Sequence, residues 1–132
     1  MSAYDSQDEW EDEELTELID EPESWRFWRR KASDYIYAEF WSSKDYCIWM
    51  RRKSSGRFCL TDLGETARQA DISEKELKIK LEEFYASHPK SSWRAVHVVG
   101  NELKATADIK SLHETLNLMK RIILFITDWG VI

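Results

Sequence analysis

Two periodicities, one of three to four residues and one of two, take turns along this chain. Trp25, Trp28, Ala32 and Tyr35 follow Ser24 at helical spacing, which predicts a helix over 25–34 with Ser24 as its N-cap. From Tyr35 to Trp41 the residues favour strand. Tyr46–Arg51 and Arg57–Asp62 then read as a hairpin around Arg52-Lys53-Ser54-Ser55-Gly56, with Arg52 expected opposite Arg57. Leu63–Ala70 reads as a short helix and Ser73–Ala86 as a longer one. Ser73 and Glu76 form a capping box there, Leu77, Leu81 and Phe84 the apolar stripe, and Pro89 the stop. Trp93–Val99 and Glu102–Ala107 alternate as a second hairpin about Gly100-Asn101. A last helix is expected from Asp108 to Thr127. Its Ile109, Leu112, Leu116, Met119, Ile123 and Ile126 advance by alternating steps of three and four, with Leu118, Ile122 and Phe125 as a second strip. Such a helix is wedged into a core or pairs with its symmetry mate, so a homodimer through Ile109 to Ile126 is one expectation.

The predicted fold is therefore α+β. It is a small single domain with an N-terminal helix, a β-hairpin, a helix-turn-helix-like pair, a second β-hairpin and a long C-terminal amphipathic helix. At 132 residues and 42% hydrophobic, the chain has enough apolar material for one core. Its longest apolar run, Ile122 to Ile126, is far short of the roughly 20 residues of a membrane span, so no membrane is expected. The first 24 residues offer no basic side chain and no apolar stretch of the kind a secretory leader has. Two cysteines build no disulfide framework, and a reducing, cytoplasmic setting is the expectation.

Charge divides the chain more sharply than hydropathy does. Of the 25 acids, eleven lie in residues 1–24 with no base among them, which leaves the rest of the chain at +5 against a total of −6. Residues 1–24 read as an acidic, disordered arm and 25–132 as the domain, because a self-repelling run with few apolar residues does not offset its ordering entropy. The basic surplus falls in 25–57, interleaved with rings. Guanidinium neutralises phosphate and rings stack on bases, so this mixture suits a nucleic acid or an acidic protein surface. Trp28, Arg29, Arg30, Trp49, Arg51, Arg52, Lys53 and Arg57 are the expected contacts. The same mixture also arises when rings fill a small core and arginines cover it.

A second arrangement is legible in the middle of the chain. Leu63, Ala67, Ala70, Ile72, Ser73, Leu77 and Leu81 have the spacing of a helix-turn-helix, and a strand before it and a hairpin after it give the order of a winged helix. Lys75, Lys78 and Lys80 then lie on the recognition helix, with Asn101 and Lys104 at the wing. Asp71 stands where such a link usually carries glycine, and Glu74, Glu76, Glu82 and Glu83 make the helix unwelcoming to DNA. Thr61 and Asp62 are expected to cap the helix that follows them. Glu102 and Lys104, with Asp45 or Asp62, offer a minimal Mg²⁺ nuclease set without a placed third ligand. His88, His97 and His113 have no metal-ligand spacing. No enzyme, metal or cofactor is expected.

The run Phe58-Cys59-Leu60-Thr61-Asp62-Leu63-Gly64-Glu65-Thr66, following a hairpin, resembles a group of small bacterial and phage domains. These place Leu-Thr-Asp-x-Gly after a hairpin, then a helical segment, a second hairpin and a closing amphipathic helix. Leu60, Thr61, Asp62 and Gly64 carry the match. The resemblance implies a phage, mobile-element or defence setting; the group's activity is undefined, so it assigns no catalytic residue. The expected function is non-catalytic binding or regulation through the basic aromatic segment. The alternatives are a winged-helix DNA-binding transcriptional regulator and an inhibitor whose acidic arm mimics DNA on a host protein.

Overall fold

The computed structural model describes residues 9–18, 25–31, 34–40, 43–88 and 94–127. Among these residues seven antiparallel strands form one sheet: β1 (Glu9–Glu11), β2 (Trp25–Arg30), β3 (Tyr35–Phe40), β4 (Ser43–Arg52), β5 (Phe58–Thr61), β6 (His97–Val99) and β7 (Glu102–Ala107). Their spatial order is β1-β2-β3-β4-β5-β7-β6. Among the described residues four helices accompany them: α1 (Glu13–Leu18), α2 (Glu65–Ala70), α3 (Glu74–Ser87) and α4 (Leu112–Thr127). Mixed helix and strand is therefore the observed class, and no helix among the described residues is long and apolar enough to cross a membrane.

The helix expected at 25–34 is a strand. Trp25 and Phe27 are fully buried, whereas Trp28 pairs with Tyr37 on the opposite side of the sheet. The helical spacing of Trp25 and Trp28 thus joins two residues that serve different faces. Six consecutive residues rich in rings suit a pleated surface, and pairing with β3 settles their conformation. The Trp25 indole N–H donates to Asn117 Oδ1 at 3.1 Å, which fixes β2 to α4.

The hairpin β4–β5 forms in a register one residue from the expected one: Arg52 faces Phe58, Arg51 faces Cys59 and Met50 faces Leu60. Lys53 N–H donates to the Arg57 carbonyl and Gly56 N–H to that of Lys53, leaving Ser54, Ser55 and Gly56 as a three-residue loop. Gly56 takes φ +89°, the left-handed position such loops reserve for glycine. This register puts Met50, Phe58 and Leu60 in the core together; a slip of one residue on either strand turns its apolar set to the other face. β4 also begins at Ser43, three residues before the strand expected from Tyr46.

One face of the sheet carries the core, with Ile36, Ala38, Ile48, Met50, Leu103 and Ala105 buried beneath helices. On α4, Leu112, Leu116, Leu118, Met119, Ile122, Ile123 and Ile126 are all buried. Most of the expected dimer seam is used inside the chain, while Ile109 of that seam and Phe125 of the second strip stay exposed. Helix α3 has its capping box, Ser73 with Glu76, and buries Leu77, Leu81 and Phe84. Asp71 closes α2 with φ +54°, a conformation aspartate tolerates better than most residues. Tyr85 hydroxyl donates to the Val96 carbonyl (2.9 Å) and accepts from its N–H (3.2 Å), joining α3 to the approach of β6.

The described part of the acidic arm is not free of the domain. Glu9–Glu11 pairs with β2, Asp12 N–H donates to the Phe27 carbonyl at 2.7 Å, and Leu15 is buried against the core. Residues 1–8 and 19–24, and Trp93 of the second hairpin, lie outside the described residues.

Candidate functional site

Side chains alternate across a sheet, so the face opposite the core is written by the other parity of each strand. The registers run one row straight across all seven strands: Glu11, Trp28, Tyr37, Trp49, Thr61, Lys104 and His97. A second row carries Tyr35, Arg51, Cys59 and Thr106. Trp28, Tyr35, Tyr37 and Trp49 are each half-buried. The Trp49 ring meets Tyr35 edge-on at 6.2 Å and Tyr37 tilted at 5.1 Å. The Arg30 guanidinium lies 5.7 Å from the centre of Tyr37 and 6.0 Å from that of Trp49, within cation–π range. Arg51 stands 3.9 Å from Asp34, both exposed, a contact that water screens and that leaves the guanidinium accessible.

Of the expected contacts, Trp28, Arg30, Trp49 and Arg51 therefore share the open face. Arg29 and Arg52 do not, because alternation turns them the other way. Arg29 Nε meets Asp12 Oδ2 at 2.5 Å, and the Arg52 guanidinium sits 5.4 Å over the Phe58 ring. Lys53 and Arg57 flank the hairpin loop, both exposed. The Arg57 charge also reaches Asp108. The Asp108 carboxyl is held below its usual value first by hydrogen bonds from the Ser111 N–H and hydroxyl, with the nearby Lys110 N–H and Arg57 adding to them.

Lysines of the second arrangement are spread over two sides of the molecule. On α3, Lys78 is 3.1 Å from Glu74 and Lys80 is 3.9 Å from Glu83, with Lys75 exposed beside them. Lys104 points to the open face, away from Leu103 and Ala105, which enter the core that α3 helps cover. Asn101 is not a projecting wing tip. Its amide packs on Gly64, where an added Cβ would meet it at 3.2 Å. Lys78 of α3 lines one cleft with His97 and Val98 of β6, whereas Lys104 points to the open face and Asn101 packs on Gly64.

Position-by-position reading missed Tyr35, Tyr37, Thr61 and His97 as members of one face. Tyr35 and Tyr37 alternate in a strand-like stretch, which was the available signal; His97 and Thr61 join them only through strand pairing. Thr61 hydroxyl donates to Glu102 Oε1 at 2.6 Å, and Glu102 is 3.8 Å from Lys104. Asp62, by contrast, is 1% exposed and faces inward. Its carboxylate accepts from the N–H groups of Gly64 (2.9 Å), Thr66 (3.2 Å) and Leu103 (2.9 Å). With its oxygens committed to the backbone, Asp62 cannot complete a metal set with Glu102. No group of three or more His, Cys, Asp or Glu suited to a metal ion occurs among the described residues.

The β4–β5–β7–β6 half of the open face is hollowed into a groove of about 600 Å³, edged by Tyr35, Arg51, Lys53, Thr61, His97 and Lys104. What the whole face offers chemically is planar apolar surface next to fixed positive charge. Comparison of the chain with family models, with curated proteins and with solved structures finds no match in any of the three.

Proposed function

We propose that this protein is a non-catalytic binding module that holds single-stranded nucleic acid on the open face of its sheet. The observation that carries the reading is the row Trp28, Tyr37 and Trp49, with Arg30 laid over two of the rings and Arg51 beside them. Bases of any sequence stack on such rings, and arginines neutralise the backbone that joins them. A duplex hides its base faces and does not exploit this surface. The Leu60–Gly64 resemblance adds a phage, mobile-element or defence setting to the proposal.

DNA reading through Lys75, Lys78 and Lys80 with Asn101 and Lys104 has less support, because Lys78 and Lys80 lie beside Glu74 and Glu83 and the Asn101 amide packs on Gly64. The DNA-mimicking arm has less as well, since Asp12 is engaged with Arg29 of the same chain.

Binding of labelled single-stranded DNA and RNA, measured over a salt series, tests the proposal. The logarithm of affinity should fall by about 0.7 per phosphate neutralised for each tenfold rise in salt. Trp49→Ala should weaken binding by about tenfold or more, as loss of one stacking ring does. Arg51→Ser should lower both affinity and salt slope. Circular dichroism verifies that both variants fold. Binding indifferent to both substitutions refutes the proposal, and equal salt-dependent binding of an acidic protein but no strand transfers the face to protein recognition.

A further inference from the structure

The two halves of the open face differ in charge. Around the rings, Glu11 stands opposite Trp28 and Glu39 opposite Arg26, so acids accompany the arginines. Around the groove, Arg51, Lys53, Lys104 and His97 contribute to the lining and no carboxylate does, among the described residues. Just outside the lining, Glu102 accepts from the Thr61 hydroxyl and lies 3.8 Å from Lys104, and Asp34 lies 3.9 Å from Arg51.

Resting on the reading above, we infer that the groove receives the phosphomonoester of a nucleotide whose ring stacks on Tyr35. An internal phosphodiester brings one negative charge, whereas a terminal phosphate brings close to two at neutral pH and three acceptor oxygens. Three cationic side chains arriving from β4, the hairpin loop and β7 favour the second. Arg51 and Lys104 stand two strands and two residues apart, about 12 Å between Cα atoms by strand spacing and rise, on the same face as Cys59 and Thr61. The volume fits a ligand of nucleotide size. Lys53 and Ser54 of the hairpin loop bound the groove on the side toward the ends of β4 and β5. The same chemistry belongs to a free mononucleotide.

Isothermal titration of the full chain with four probes tests this: one short oligonucleotide bearing a 5′-phosphate, a 3′-phosphate or hydroxyls at both ends, and adenosine 5′-monophosphate. One phosphorylated strand should bind about tenfold tighter than the hydroxyl strand, the worth of a charge-assisted contact. Lys104→Ala should abolish that preference without weakening the hydroxyl strand, while Lys75→Ala on α3 changes neither. Binding of the monophosphate with the same Lys104 dependence, and no gain from a phosphorylated strand end, identifies a free nucleotide as the ligand. Equal affinity for all three strands, with no binding of the monophosphate, overturns the inference and leaves the proposed function standing. Lys104-dependent binding of phosphate probes that Trp49→Ala does not weaken along the strand does the reverse.

Discussion

Asp62 joins three segments through one carboxylate. Its oxygens take the N–H groups of Gly64 and Thr66 at the start of α2 and of Leu103 in β7, while its own N–H donates to the Leu103 carbonyl. Asp62→Ala strands three buried donors, and a destabilisation of about 3 to 5 kcal/mol is expected, read from the urea midpoint. Asp62→Asn retains one acceptor oxygen and should cost about half as much. At the surface, Asp108 shows the opposite case, a solvent-exposed carboxylate held below the usual carboxylate pKa because the Ser111 N–H and hydroxyl bond it. A depressed acid contributes its stability above the unfolded pKa and loses it as pH falls through the folded one. The stability gap between wild type and Asp108→Ala should therefore be constant from neutrality down to about pH 5 and close at lower pH, as followed by urea unfolding across that range. The caps at Asp62 and Ser73 were readable from sequence because a cap involves residues two to four apart. The Asp62–Leu103 bond was not, since its partner lies 41 residues away.

Among the elements, α4 was the most legible and its partner the least. A seam of threes and fours announces a helix with an apolar side, but two copies of a helix and one helix under a sheet write the same seam. Burial decides for the sheet. Leu116→Ala should accordingly cost about 2 to 5 kcal/mol, with the molecular mass from light scattering unchanged at every concentration, because the lost contacts are within one chain. A mass that shifts with this substitution returns the seam to an interface between copies. The segment 25–30 is the converse. Trp-Arg-Phe-Trp-Arg-Arg contains both periods at once, since Trp25 with Phe27 fits a strand and Trp25 with Trp28 fits a helix. Only the ladder to β3 separates them.

Over the whole molecule, the acidic leader and the cationic body are parts of one sheet. β1 covers the edge of β2, Leu15 fills a seat in the core, and Asp12 neutralises Arg29. Removing residues 1–18 takes away eight acids and turns the formal charge from −6 to +2. It should lower stability by about 2 to 3 kcal/mol through the loss of Leu15. Oligonucleotide affinity should rise at low salt and converge with that of the intact chain at high salt, where screening removes the difference. Equal affinity at low salt refutes the electrostatic part of the account.

Local chemistry, then, was open to reading from the residues alone: the caps, the turn glycines, the apolar stripes, and a basic ring-rich stretch after an acidic one. Each depends on neighbours within a turn or a strand. Which of those arginines and rings share a surface was not open to it. Trp28, Trp49 and Lys104 share a face because three hairpins and one long return set their registers, and a slip of one residue anywhere sends a side chain to the opposite face. Arg29 and Arg30 are adjacent in the chain, yet one meets Asp12 and the other lies over Tyr37. Parity within a strand is a local property, but the choice of buried parity belongs to the packed core.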